Sequence, residues 1–362
     1  MDKQQLSHLI HIQQASRDNR LVVFVGAGVS RNSGIPTWNE LINSMKSELP
    51  DELSDEPDAL KLAQLYKDSR GHKEYMDRIK EVLLYNKAVP NPLHKSILEL
   101  NPCHIITTNY DNLIEQEIHN EFKQYAIVRE DKDIPQMLHP NSLVKMHGDY
   151  LTDNIVLTET DYFNYPENFP LVRAFVQSLF ASKLVLFIGF SFVDLNLKMI
   201  LNQLKNILSE NMQRAYLLSC ERPNDLQKQY FANKGMNILY FDEKDVDKII
   251  DSRYQDNILK NKGLQTDKIL YAIKNYSNIS KDDIADYLYM RIMPYTQELR
   301  SFGDGLLYFF PSNLKMVWNL HSSGLETFLP YFRNLAPKLK HPSDMRRFLL
   351  NHSNIDLRSL LK

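Results

Sequence analysis

Four short apolar runs in this chain each end in residues that can hold an anion or move a proton. Leu21–Val25 runs into Gly26-Ala27-Gly28, then Ser30 and Gly34-Ile35-Pro36. His104–Thr107 opens into Thr108-Asn109-Tyr110-Asp111, Leu143–Met146 into His147-Gly148-Asp149, and Leu184–Ile188 into Gly189-Phe190-Ser191. Glycines at a tight turn remove Cβ atoms and let backbone N–H groups come close to a phosphate. The same Gly-x-Gly also serves an ordinary tight turn, and Arg31 stands where the common dinucleotide fingerprint has its third glycine. His147 can take up a proton near neutral pH, or it can merely hydrogen-bond the turn it sits in. Asn109 carries an amide that donates and accepts at once, and asparagine also suits a left-handed turn.

These groups act together only if a scaffold brings the four run ends to one place, and the spacing predicts such a scaffold. A five-residue apolar run ending at glycines suits a strand buried on both faces of a parallel sheet. Ala215–Ser219 and Asn237–Phe241 add two more strand candidates. Between the strands, Asn112–Glu121, Leu171–Ser182 and Asp194–Leu208 carry apolar residues at helical spacing. Before the second strand, Trp38, Leu41, Ile42 and Met45 follow Thr37 as a candidate N-cap. Ala59–Asn86 and His94–Leu100 also read as helical, and Ser7–Arg17 predicts a short amphipathic helix ahead of the first strand. Strands alternating with helices predict an α/β fold with a doubly wound, mostly parallel sheet of Rossmann-like type, with helical insertions and a helical C-terminal region. Ligands of such sheets sit beyond the carboxyl ends of the strands where strand order reverses.

The chain's 362 residues allow a domain over 1–250 and a helical region over 251–362, where Asp267–Tyr276, Lys281–Met290 and Leu325–Leu339 have helical spacing. That region is expected to be regulatory or the start of a longer C-terminal part. A net charge of −2 gives no electrostatic case for nucleic acid. Two cysteines, Cys103 and Cys220, are too few for a four-cysteine zinc site and read as inert buried residues. The apolar runs are far short of a membrane span and the N-terminus is polar, so a cytoplasmic enzyme or binding protein is expected, with no membrane contact. Asp194 reads as the N-cap of the following helix, and His94 and His104 as non-catalytic. Tyr162-Phe163-Asn164-Tyr165 either lines a pocket or packs, and Arg346 and Arg347 read as solvated surface.

GAGVSRNSGIP, TTNYD, KMHGD and GFSFVDLN, in that order and at similar spacing, resemble the nucleotide-binding signatures of the sirtuin family. They look most like the sirtuin-like NAD-consuming domains of bacterial anti-phage defence proteins, the Thoeris effector and the defence-associated sirtuins. NPLHKSILELNPCHIITTNYDNLI is similar to the latter group, and the resemblance covers roughly residues 15 to 245. It implies that Gly26, Ala27, Gly28 and Ser30 cradle the NAD diphosphate. Asn109 would hold the nicotinamide ribose and orient the attacking group, and His147 would act as base. Gly189 and Ser191 would contact the adenosine side, with Asp111 orienting loop groups near the nicotinamide pocket.

Departures from the sirtuin deacylases choose the expected activity. Those enzymes carry a four-cysteine zinc module between the histidine and the last glycine motif; here the interval from His147 to Gly189 has no cysteine. Where the deacylases read Pro-Asp-Phe-Arg, this chain reads Pro36-Thr37-Trp38-Asn39, so Trp38 would shield the nicotinamide. Without a built acyl-lysine channel, water becomes the acceptor, and the resemblance implies a metal-free NAD glycohydrolase releasing nicotinamide and ADP-ribose. A defence role with a homo-oligomer and a phage-derived or system-encoded protein activator is the accompanying expectation. An NAD-dependent deacylase or ADP-ribosyltransferase, and a non-catalytic NAD or ADP-ribose sensor, are the competing readings.

Overall fold

The computed structural model describes residues 3–50, 56–84, 87–192, 194–209, 212, 215–250, 254 and 257–276. The expected helices at 281–290 and 325–339, together with Arg346 and Arg347, lie outside the described residues. The chain divides into two compact units, Ala15–Lys274 and Met1–Gln14 with Asn275–Lys362. In the latter, residues 3–14 belong to helix α1 (Lys3–Arg17), four residues longer at its start than the spacing predicts. There Gln13 Nε2 donates to the Tyr276 carbonyl at 3.0 Å.

The unit Ala15–Lys274 is built on seven parallel strands: β1 (Leu21–Val25), β2 (His104–Thr107), β3 (Ala126–Val128), β4 (Ser142–Lys145), β5 (Leu184–Ile188), β6 (Ala215–Leu218) and β7 (Met236–Leu239). Their order is β3-β4-β2-β1-β5-β6-β7. Every residue of β1, β2, β4 and β5 is buried, as parallel strands covered on both faces require. Val25 pairs in register with Thr107 on one side and with Ile188 on the other, and Thr107 with Lys145, so four strands end at one level. The chain winds outward from β1 through β2, then returns to place β5 on β1's other side. The switch point therefore lies between β1 and β5.

Helices cover both faces. α2 (Ala27–Ser30) follows β1 at once, and α3 (Trp38–Lys46) and α4 (Ala59–Val82) complete the excursion before β2. Thr37 caps α3 in a reciprocal box, its hydroxyl accepting from Glu40 N while the Glu40 carboxylate accepts from Thr37 N at 2.6 Å. α4 bends at Gly71, which takes φ of 80°. This pair has its own core, including Ile42, Met45, Tyr66 and Ile79. α5 (Pro92–Glu99), α6 (Leu113–Asn120), α7 (Glu159–Phe163), α8 (Tyr165–Asn168), α9 (Pro170–Ser182) and α10 (Leu195–Leu208) connect the middle strands. The core under α9 and α10 gathers Phe24, Phe180, Phe187 and Leu197. α11 (Asp225–Ala232), α12 (Glu243–Ile249) and α13 (Asn261–Asn275) complete the described helices.

Two details depart from the sequence reading. β3 has no candidate in the sequence because a three-residue strand at a sheet edge carries no readable period. Cys220 is only partly buried, with its Sγ 3.1 Å from Thr266 Oγ1, whereas Cys103 is buried as expected.

The glycines at the switch point are required by packing. A Cβ on Gly26 would collide with the Gly189 carbonyl oxygen and stand 2.7 Å from Phe190 Cα, all immovable backbone. Gly26→Ala is therefore expected to destabilise the fold by about 1–3 kcal/mol, the usual cost of overpacking a rigid site. An unchanged urea unfolding midpoint would contradict that close approach.

Candidate functional site

The loops after β1 and β5 are zipped together by backbone. Gly26 N donates to the Ile188 carbonyl and Gly28 N to the Gly189 carbonyl, both at 2.9 Å. The expected phosphate cradle is thus partly a loop-to-loop lock, since these two N–H groups already have protein acceptors. From Gly189 the chain turns through two left-handed residues, Gly189 (φ 64°) and Phe192 (φ 57°). An aromatic residue in that region is strained by roughly 1–3 kcal/mol. Packing of the Phe192 ring on Phe231 (5.7 Å) and Phe190 (6.2 Å) holds it there.

Asn109 is tied to the same lock. Thr107 Oγ1 donates to the Val25 carbonyl at 2.8 Å and accepts from Asn109 N at 3.0 Å. The Asn109 amide then donates from Nδ2 to Ser30 Oγ at 3.1 Å, joining two of the expected site residues directly. Behind α2, the buried Asn91 amide donates to the Val29 carbonyl (2.9 Å) and to Ser33 Oγ (2.8 Å). His94 serves that corner, its Nδ1 accepting from Asn91 N at 3.1 Å, and stays outside the site. His104 bonds Ser142 Oγ at 2.9 Å, and burial lowers its pKa to about 4. Asp111 caps locally, with Oδ1 accepting from Leu113 N at 3.1 Å.

The loops after β2 and β4 are joined by a fully buried ammonium. Lys145 Nζ donates to the Asp111 carbonyl at 2.7 Å, to the Tyr110 carbonyl at 3.3 Å and to Glu115 Oε1 at 2.9 Å. It also lies 3.4 Å from Asp149 Oδ2, on which the Arg129 guanidinium closes through Nε. Burial alone would raise the Asp149 carboxyl, but Lys145 and Arg129 outweigh it and hold the group below the usual carboxylate range. Between these anchors Gly148 takes φ of 69°, packed against Asn154, and the turn presents His147.

His147 is buried, and its ring meets Tyr162 edge-on at 5.3 Å and Tyr165 at 5.9 Å. Burial pushes the imidazole below its ordinary value; Asp194 and Asp161 oppose this without cancelling it. The neutral ring, the form a base needs, therefore dominates at pH 7. Asp194 does cap α10, accepting from Leu197 N at 2.7 Å through Oδ1. Its Oδ2 accepts from the Tyr162 hydroxyl at 3.0 Å and lies 3.4 Å from His147 Nε2. At that separation the carboxylate faces the ring nitrogen without an ordinary hydrogen bond, and Nε2 has no hydrogen-bond partner.

One cavity of about 690 Å³ collects these loop ends. Ala27, Gly28, Ser30, Trp38, Asn109, Asp111, His147, Gly189 and Ser191 all line it. Gly26 does not: it lies beneath, at the loop contact. Trp38 reaches the cavity from α3, with Leu60 and Leu83 from the helical pair beside it. Tyr162, from the stretch that the sequence leaves as either pocket lining or packing, lines it too, as do Arg31, Phe190 and Asp194, which the sequence does not mark for a site. Among the described residues no group of three or more His, Cys, Asp or Glu could hold a metal, and no helix is long and apolar enough to cross a membrane.

Residues 103–239, a span that takes in the loops after β2, β4 and β5, are similar to the SIR2-like domain. Defense-associated sirtuin 2 of Bacillus subtilis is 29% identical over 305 residues, covering 81% of this chain and 30% of that protein. The NAD(+) hydrolase ThsA of Acinetobacter baumannii (strain 532279) is 35% identical over 207 residues, 56% of this chain and 42% of that one. The chain spans less than half the length of these curated relatives. A solved SIR2 homologue–NAD complex superposes at TM-score 0.41 and 15% identity, over 76% of this chain and 94% of that one, too loosely to carry an argument.

Lys145 neutralises carboxylates from two segments. Lys145→Met would leave Glu115 and Asp149 facing Arg129 alone. It is expected to cost about 3–5 kcal/mol, as uncompensated buried charge does. Chemical denaturation measures this, and a loss below about 1 kcal/mol would show that the ammonium is dispensable.

Proposed function

We propose that this chain is an NAD glycohydrolase that uses water to cleave NAD to nicotinamide and ADP-ribose. The observation that carries the reading is the single cavity lined by Asn109, His147 and the two glycine loops at the switch point. Its volume of about 690 Å³ suits a dinucleotide, with the diphosphate near Ala27, Gly28 and Ser30 and the adenosine side near Gly189 and Ser191. Trp38 and the apolar residues of the helical pair would shelter the nicotinamide end. The relatives named NAD(+) hydrolase ThsA support the same activity.

The reaction breaks the bond between the nicotinamide nitrogen and the ribose carbon, and the bonding pair leaves with the nitrogen. The departing ring goes from cationic to neutral, and positive charge builds on the ribose. A water oxygen bonds to that carbon and gives up a proton. Neutral His147 is the group in the cavity suited to take it. The Asn109 amide can orient the water and a ribose hydroxyl together. No metal is called for in this scheme.

Unchecked NAD loss would kill the cell that makes the protein, so the activity is held off until a trigger arrives. We place the catalytic domain at 1–250 and the control in 251–362, with oligomerisation or a phage-derived or system-encoded protein as trigger, acting in the cytoplasm during abortive infection. One contact supports such control. Gly263 at the start of α13 abuts Asn32, whose amide donates to the Gly28 carbonyl at 3.1 Å.

Incubating the purified chain with NAD and following nicotinamide by chromatography tests this, alone and with lysate from phage-infected cells. Asn109→Ala and His147→Ala are each expected to lower turnover by about 100-fold or more, with unchanged circular dichroism. Full turnover in both variants would overturn the site. Release that depends strictly on an acyl-lysine peptide would favour a deacylase, and tight binding without turnover a sensor.

A further inference from the structure

A residue that only caps a helix needs one acceptor oxygen, and Asp194 has two engaged. Oδ1 receives the α10 N–H of Leu197 at 2.7 Å, while Oδ2 receives the Tyr162 hydroxyl at 3.0 Å and faces His147 Nε2 at 3.4 Å. The side chains of Asp194 and His147 are both almost wholly removed from water. Nε2 has no hydrogen-bond partner, so the carboxylate is the polar group it meets.

We propose that Asp194 is a positioning residue for His147. Its carboxylate, pinned by Tyr162 and by the start of α10, draws the Nε2 proton toward itself and leaves Nδ1 to accept the proton from water. This rests on the NAD-hydrolase reading above.

The physical case follows from burial. A neutral imidazole has one N–H, and an acceptor facing one ring nitrogen places the N–H there and leaves the other nitrogen to accept. When Nδ1 takes the water proton, the ring becomes a cation in a site that offers it little solvation. A carboxylate 3.4 Å away then stabilises that cation far better than water-screened charge would. The other titratable groups around the ring are Asp161 and Tyr162 of α7 and Tyr165 of α8, with Tyr110 facing Asp194 from the loop after β2. Asp161 is committed elsewhere, its Oδ2 accepting from Thr158 N at 2.9 Å and Leu157 N at 3.2 Å. The three tyrosines are held protonated, since burial drives each phenol well above its ordinary range. Of the two carboxylates that oppose the effect of burial on His147, Asp194 is the larger contributor and the one whose oxygen faces Nε2.

The test is Asp194→Asn in the full chain, because asparagine caps a helix about as well as aspartate and removes only the charge. A base works unprotonated, so activity rises as pH climbs through the imidazole pKa. Without the carboxylate that pKa falls, so the acid limb of kcat/KM should move to lower pH. The plateau should drop about tenfold or more, because a less basic imidazole is a weaker base. Asp194→Ser, which also caps, should do the same, and Asp194→Glu should restore part of the loss. A nitrogen NMR titration of the His147 ring, compared between wild type and Asp194→Asn, reads the same shift in the resting protein without any turnover.

An unmoved acid limb and unmoved His147 titration in a folded Asp194→Asn or Asp194→Ser protein would overturn the proposal. If His147→Ala is inactive while Asp194→Asn behaves as wild type, this inference alone fails. If His147→Ala keeps full activity, the catalytic assignment beneath it fails instead.

Discussion

The site depends on how closely two backbone loops approach at the switch point. Gly28 N bonds the Gly189 carbonyl at 2.9 Å, and any side-chain atom on Gly26 or Gly28 would strike that residue. Because β1 and β5 pair in register up to Val25 and Ile188, their following loops leave the sheet at the same height. The contact closes the floor of the cavity at the point where helices diverge to opposite faces. Thr107 ties the third loop to this floor through the Val25 carbonyl, so Asn109 is placed by strand register and one hydroxyl rather than by a flexible segment.

The fourth loop is held by charge. Parallel strands β2 and β4 pair with Thr107 opposite Lys145, which sets the lysine directly beneath the Asn109–Asp111 turn. Its ammonium satisfies two carbonyls of that turn, and Asp149, two residues beyond His147, is held by the same cation and by Arg129. Two cations and two carboxylates make a neutral set, which offsets the cost of burying these charges. The amide and the imidazole thus share one anchoring network, although they come from loops far apart in sequence.

Much of this was readable in advance where chemistry and period coincide. Runs such as LVVFV and LVLFI can only be covered strands, and residues just past a parallel strand's carboxyl end are where ligands sit, so Asn109, His147 and the glycines stood out. What escaped had no local signal. Lys145 reads as the polar end of a short strand, and its burial depends on Glu115, Arg129 and Asp149 arriving from three segments. Asp194 shows only its capping role in sequence, because its second oxygen meets His147 through the turn at Phe192 and the α7 tyrosine. β3, three residues long, is too short to print a pattern. The glycine N–H groups were expected to face a phosphate, yet those of Gly26 and Gly28 are spent on the neighbouring loop, a pairing that only the register of β1 and β5 creates.

The central claim is that one extended dinucleotide lies across all four loop ends. A crystal structure of the His147→Ala chain soaked with NAD examines it most directly. The account predicts the diphosphate against Ala27, Gly28 and Ser30, with the nicotinamide ribose beside Asn109 and the cut bond facing position 147. NAD bound elsewhere, or a cavity that stays without it at millimolar concentration, would contradict the account.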